Sequence, residues 1–461
     1  MSVFTNQPVS AQAAASSADV ILHAFDWSYQ KVANEAERIA QLGYDSVLVS
    51  PAMTSPAHSE WWNRYQPQDY RVINNPLGNT HDFIAMQQAL AAQGIRLYLD
   101  VVFNHMANES HVRTDLTYPN AETLAQYQAQ AEHFNSLKLF GDLSQPLFTE
   151  QDFEPAFPIT NWLDASEVQK GRLSSSETDP GLPTLAPTNN VVAQQQSYIQ
   201  AMKTLGVTGF RIDAAKHLSP DHIAKVWTDD ICQGVKIFSE IITDGGEGKT
   251  EYEVFLKPFI QTTCFDAYDF PLFHKLLNVF KYDGSMTSLQ DLKEQGQCLE
   301  AKRAITFAVT HDIPNNDVFR NQMLSPQQEQ LVYCYLLGCS DGAPLIYTDQ
   351  NTSNDLDALG YPRWEQSWHD NTLLKMIQFH KKVHGQPVHI LKATDDVLVV
   401  LRGTEEKPVG IVAINKGNEE HQINLPNGAF SANQFNMWLG GDDLLQHTLT
   451  LPAQSGVMLL A

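Results

Sequence analysis

Four apolar stretches of this chain end on residues able to do chemistry. Arg211 and Asp213 close 207–213 and, two apart on an extended segment, project from the same face. Glu240 closes 235–240, Thr310, His311 and Asp312 end 303–310, and Asp100, Asn104 and His105 lie at and just beyond the end of 95–102. Charge at the end of a buried strand is costly unless it is paired or used. An ion pair would explain one Arg-x-Asp alone, and a helix cap one carboxylate alone. Four such endings ask for a shared site.

If Asp213, Glu240 and Asp312 converge, they cannot all stay ionised, and the one whose pKa rises becomes a proton donor. One neutral and one ionised carboxyl flanking a bond is the equipment of glycoside hydrolysis, and retaining enzymes space the pair about 5 to 5.5 Å apart. Arg211 favours an ionised Asp213, so Asp213 is the better nucleophile and Glu240 the better acid. His105 and His311 are candidates to donate to sugar hydroxyls, or else structural histidines.

The elements that must position these groups alternate. Apolar runs at 20–25, 44–50, 95–102, 207–213, 235–240, 262–268, 303–310 and 343–348 read as strands. Helical spacing follows them, over 32–42, 82–92, 191–205, 221–231, segments through 297, 326–338 and 371–383. The strands are apolar on both sides, which implies a parallel sheet with right-handed crossovers. Eight strand–helix units are the inventory of a (β/α)8 TIM barrel, whose active sites lie at the C-terminal strand ends. Residues 104–190 break the rhythm and are too long for a structureless loop, so they read as an inserted subdomain. From about residue 385 the helices give way to short strands between Gly, Asn and Pro turns. The expected division is a barrel over 1–103 and 191–384, an insertion over 104–190 and a C-terminal antiparallel β domain over 385–461.

Composition narrows the partners. Thirty basic and 53 acidic residues leave a formal charge of −23, which disfavours nucleic acid and anionic membrane and suits a neutral substrate. No apolar run approaches the roughly 20 residues of a membrane helix. The leading Met1 to Asp19 segment has neither a basic nor an apolar signal region, so the sequence as it stands reads as cytoplasmic, with secretion after loss of a leader as the alternative. Cys232, Cys264, Cys298, Cys334 and Cys339 are odd in number and lack a CxxC pair, which suggests buried free thiols. A monomer is expected.

The segments DVVFNH, GFRIDAAKH, FSEII and FAVTHD, in this order, resemble the four signature regions of the α-amylase family of glycoside hydrolases, and WWNRYQPQDY resembles its substrate-stacking segment. The resemblance implies Asp213 as nucleophile, Glu240 as general acid/base and Asp312 as transition-state stabiliser. It makes Asp100, His105, Arg211 and His311 supporting residues of the central sugar subsite. Tyr65 would stack on that sugar, Trp61 and Trp62 would line neighbouring subsites with Gln66 beside them, and Lys216 and His217 would hold the outgoing side.

The family's calcium site implies Asn104, the carbonyl of His217 and an Asp where this chain has Thr184. That replacement weakens or removes the site unless Asp179 or Asp164 steps in. Thr310 stands where chloride-activated members carry Asn, so no chloride site is expected. The expected activity is endo-hydrolysis of α-1,4 bonds in starch, glycogen or maltooligosaccharides with retention. Its rivals are an exo-acting α-glucosidase or transglycosylase of the same family, a carbohydrate-binding paralogue without activity, and a metal hydrolase built on His105, His217 and His311.

Overall fold

A computed structural model describes residues 19–424, 436–439 and 448–461. The leading segment read above as lacking a signal region lies outside these residues, except for Asp19, and so does Leu425 at the end of one expected strand. Eight parallel strands close into a barrel: β1 Ile21–Ala24, β2 Ser46–Val49, β3 Arg96–Val101, β4 Gly209–Ile212, β5 Lys236–Ser239, β6 Asp266–Tyr268, β7 Ala304–Phe307 and β8 Ala343–Thr348, with β1 pairing both β2 and β8. Their residues are almost all buried, which explains apolar runs without alternation.

Helices Tyr29–Gln41, Thr80–Ala92, Asn189–Thr204, Phe270–Phe280, Pro326–Cys339 and Asn371–Val383 follow the alternation, several opened by a Ser, Thr, Asn or Asp cap. Two expected elements differ. The sixth strand is three residues rather than seven, because Lys257–Thr262 is helical and Thr263 turns extended only at its end. The helix expected over 221–231 is two pieces, Pro220–Val226 and Asp229–Cys232, broken where Trp227 leaves helical geometry. Its ring is buried against Phe103, Phe210 and Phe265, so packing overrides helical continuation.

Close approach matters at Gly209. A Cβ there would lie 2.4 Å from Tyr98 Cδ1 and 3.1 Å from the Lys236 carbonyl, so only glycine lets β4 pass between β3 and β5.

Between β3 and β4, Ala121–Ala129 and Ala131–Leu137 form a short helical pair, and Tyr127, Phe134, Leu137 and Leu143 make a small satellite core with Val72. The C-terminal region is a five-stranded antiparallel sheet with a two-stranded partner, and has its own core of Val397, Val399, Leu401, Ile411 and neighbours. Arg402 of this sheet is fully buried and donates to the carbonyls of Gly338, Val383 and Gln386 while pairing with Asp341. It thereby satisfies acceptors at and beside the C-terminal ends of the last two barrel helices.

The cysteines form no disulfide among the described residues. Only Cys334 is buried; Cys232, Cys298 and Cys339 are partly covered and Cys264 is exposed, in the turn before β6. Uniform burial of the thiols is therefore not what the structure shows. No helix is long and apolar enough to cross a membrane among the described residues.

Candidate active site

The parallel register places the chemistry. Asp100 of β3 lies opposite Arg211 of β4, and Ile212 lies opposite Ser239 of β5, so Asp213 and Glu240 leave neighbouring strands side by side. Their backbones continue the ladder: Asp213 N–H donates to Val101 and Glu240 N–H to Ile212, each at 3.0 Å. Asp312 and His311 follow β7 at the same end of the barrel.

Arg211 is the hub. Its guanidinium is fully buried; Nη1 lies 2.5 Å from Asp100 Oδ2 and 3.0 Å from Asp213 Oδ1, and Nη2 lies 2.5 Å from Glu240 Oε1. The first two contacts are hydrogen bonds, whereas the contact to Glu240 is out of line for one. Three carboxyls therefore contact one cation, and Asp312, partly buried, lies beside Glu240. Burial pushes Asp100, Asp213, Glu240 and Asp312 all upward, against the lowering pull of Arg211. One positive charge cannot hold four anions in a desolvated pocket, so the cluster retains a proton. Burial raises Asp213 furthest, but Arg211 donates a hydrogen bond to Asp213 Oδ1 and none to Glu240, and Asp312 raises Glu240, so the geometry favours Glu240 as the group that carries the proton.

The aromatic residues converge on His311. Its ring stacks on Tyr65 at 5.2 Å and 10°, and on Phe25 at 4.6 Å, with Trp61 edge-on at 5.7 Å. One Tyr65 face is thus covered, while its hydroxyl donates to Asp100 Oδ2 at 2.9 Å. Trp61 is partly buried in this cluster, and Trp62 is 47% exposed. Burial and Arg211 bring His311 down to about 4, so it is neutral at working pH, with Nε2 3.6 Å from Asp312 Oδ2.

His105 differs from its expected part as a donor to sugar hydroxyls. It is buried and neutral, near 4; its Nε2–H donates to the Tyr65 carbonyl at 2.9 Å and its Nδ1 accepts from Asn104. Its visible work is to hold the Tyr65 segment. Gln66 likewise turns inward, accepting from the Asn108 N–H.

On another side of the mouth, Lys216 pairs with Glu251 at 2.6 Å and lies over the Phe255 ring at 4.8 Å. The buried His217 ring donates from Nδ1 to Val168 and meets Trp162 edge-on at 5.9 Å. Trp162 and Glu251 were not legible as site residues. Trp162 lies in the aperiodic insertion, and Glu251 lies in the first turn of the helical segment that follows β5; their partners are 55 and 35 positions away by residue number. A tryptophan within the otherwise polar insertion was the one available signal.

The residues proposed for calcium do not fit a hard dication well. Asn104 is turned to His105, and the Thr184 hydroxyl donates to the Gly171 carbonyl. Asp179 accepts from Asn108 and from the Gly181 N–H, and Asp164 caps the helix beginning at Ala165. Neither carboxylate is turned to the place of the missing ligand. A metal hydrolase is argued against by His105, whose Nε2–H donates to the Tyr65 carbonyl while Nδ1 accepts from Asn104, so that neither ring nitrogen is left for a metal.

A closed parallel barrel with three carboxyls gathered at the C-terminal strand ends defines a barrel hydrolase of the paired-carboxyl class. A model of the α-amylase catalytic domain matches residues 29–355. An α-amylase of Aeromonas hydrophila is 45% identical over 438 residues, covering 95% of this chain and 92% of that protein. Among solved structures, a mutant α-amylase I of Eisenia fetida in complex with maltohexaose has a TM-score of 0.72 at 18% identity, covering 99% and 100% of the two chains. A γ-CGTase of Bacillus clarkii has a TM-score of 0.71 at 19% identity, covering 96% of this chain and 70% of that one, and like the former shows the fold alone. The chain belongs to the α-amylase family of glycoside hydrolases.

Proposed function

We propose that this enzyme hydrolyses internal α-1,4-glucosidic bonds of starch, glycogen and maltooligosaccharides with retention of configuration. The observation that carries the reading is the placement of Asp213 and Glu240 at adjacent strand ends on one guanidinium. Neighbouring strands lie about 4.8 Å apart, which suits the short carboxyl spacing of retaining enzymes. Glu240 gives its proton to the glycosidic oxygen while the Asp213 carboxylate attacks the anomeric carbon, forming a glycosyl ester. The Glu240 carboxylate then takes a proton from water, which attacks the same carbon and releases Asp213. Asp312, beside Glu240, hydrogen-bonds the sugar as charge develops.

Chromatography of products from starch and from an end-blocked maltooligosaccharide tests this. Cleavage of the blocked substrate is expected; glucose released from unblocked ends alone would make the enzyme exo-acting, and longer products would make it a transglycosylase.

The half-exposed Trp162 offers an apolar face near Lys216 for a sugar on the leaving-group side. Trp162→Ala should raise KM for long maltooligosaccharides about tenfold, with a much smaller effect on substrates too short to reach it. Equal losses on both would remove Trp162 from the substrate path.

Calcium dependence is expected to be weak, because Thr184 spends its hydroxyl on Gly171. Chelator treatment should move the melting midpoint by no more than about 1 °C, about 1 kcal/mol for a chain this large. A larger drop reversed by added calcium would show a functional site. With Thr310 before His311, activity is expected to be indifferent to chloride.

A further inference from the structure

Asp312 stands on a short element. It opens a helix of only four residues, Asp312–Asn315, and His311 before it makes no side-chain cap. A single turn is not stable by itself, so the placement of Asp312 must come from its surroundings. On the outer side Arg320 donates to the Pro314 carbonyl and pairs with Asp355 at 2.7 Å. On the barrel side the hold is made by residues with no part assigned above.

Asn315 closes the turn. Its Nδ2 donates one hydrogen to the His311 carbonyl at 2.8 Å and the other to the Tyr347 hydroxyl oxygen at 3.1 Å. Tyr347, the last residue but one of β8, donates its own O–H to Asp349 Oδ2 at 3.1 Å. Asp349 is fixed just beyond the strand by the Asn351 N–H at 3.0 Å and the Thr352 hydroxyl at 3.1 Å. A carboxylate only accepts, so the Tyr347 proton points to it and the phenol oxygen is left to receive from Asn315.

The Asn315 amide cannot be turned round, because its oxygen would then face the His311 carbonyl. As it stands, Asn315 Oδ1 is buried without a hydrogen-bond partner. An unpaired buried acceptor is destabilising, so this arrangement favours placement over stability. Tyr347 is buried, and its ring packs independently of its hydroxyl, edge-on to His23 and Trp364 and tilted against Phe25, which itself stacks on His311. The ring thus backs the His311 side chain, while the hydroxyl, through Asn315, steadies the His311 carbonyl. Both fix the residue that precedes Asp312.

We propose that Asn315 and Tyr347 are positioning residues for Asp312. The chain from Asp349 through Tyr347 and Asn315 ties the turn after β7 to the end of β8, and so holds the Asp312 carboxyl where charge develops on the sugar. The inference rests on the part given above to Asp312. A group that acts on the transition state more than on bound substrate changes kcat rather than KM when displaced, and a shift of about 1 Å costs about 10²-fold.

Tyr347→Phe removes one oxygen and leaves the packed ring. On maltoheptaose it should lower kcat about tenfold with KM within about twofold. Acarbose, whose unsaturated aminocyclitol ring and amine copy the flattened, positively charged sugar, should bind more weakly by the same factor as kcat/KM falls. Asn315→Ala should lower kcat about 10²-fold, and the double variant should be no worse, because the two residues act in series. Urea melts check folding, and Tyr347→Phe decides alone where Asn315→Ala does not fold. A folded Tyr347→Phe with wild-type kcat overturns the inference. So does a rise in KM matching the fall in kcat, a loss of kcat with acarbose binding unchanged, or effects of the two substitutions that multiply. Full activity of Asp312→Asn would overturn the part given to Asp312, and the inference with it. Maltoheptaose is a substrate for endo and exo action alike, so failure of the wild type on an end-blocked substrate would count against internal cleavage and leave these ratios readable.

Discussion

Replacing Asp213 by Asn is expected to lower kcat by about 10⁴-fold or more while leaving the fold intact. The carboxamide oxygen can still accept from Arg211 Nη1, which Asp213 Oδ1 now does at 3.0 Å, so packing and one hydrogen bond are retained. What disappears is a nucleophile able to form the glycosyl ester. Initial rates on a blocked maltooligosaccharide, with a thermal melt on the same sample, make the check. A folded variant keeping more than about 1% of activity would remove Asp213 from that role. The wild-type rate should follow a bell-shaped pH profile. Its acid limb reports Asp213 taking up a proton and its alkaline limb Glu240 losing one; burial raises both groups above their ordinary values of 3.8 and 4.5. Because the carboxyls titrate together, the limbs belong to the cluster rather than to single residues.

Arg211→Met should cost about 3 to 5 kcal/mol of stability near neutral pH, since it leaves buried carboxylates without their counter-charge. Asp100, Asp213 and Glu240 each lose a contact of 3.0 Å or less. The pH dependence distinguishes this from simple loss of packing. These carboxyls already titrate above their ordinary values in the folded protein, and losing Arg211 raises them further. A raised carboxyl stabilises the fold below its unfolded pKa, and that contribution is lost as pH rises through the folded pKa. The variant's deficit should therefore be smallest near about pH 4 and grow towards about pH 7, read from urea midpoints. An equal deficit at both would mean that Arg211 acts by volume alone.

Much of the barrel was legible because each strand had to be buried on both faces. The apolar run then ended abruptly where side chains emerge into the mouth, as at Ile212–Asp213 and Ser239–Glu240. The three-residue strand Asp266–Tyr268 was harder, since the neighbouring apolar residues belong to a helix. Within the site, sequence spacing showed which residues reach the mouth but not which atoms remain available once there. His105 illustrates this: its position was predictable, whereas the use of Nε2 on the Tyr65 carbonyl depends on a backbone 40 residues away. Trp162 and Glu251 were invisible for a related reason. Trp162 lies in the aperiodic insertion and Glu251 at a helix start, and each gains meaning from contacts formed only by folding.

Arg402 bears on how this architecture can be recombined. A graft that exchanges the C-terminal sheet for another must bring a guanidinium to the same spot, or the carbonyls of Gly338, Val383 and Gln386 lose their donor. A clean cut after the last barrel helix, tempting from the linear map, would instead leave a scar in the barrel's own wall. The sheet is grammatically part of the barrel's sentence, and a chimera designer should place the junction beyond that arginine.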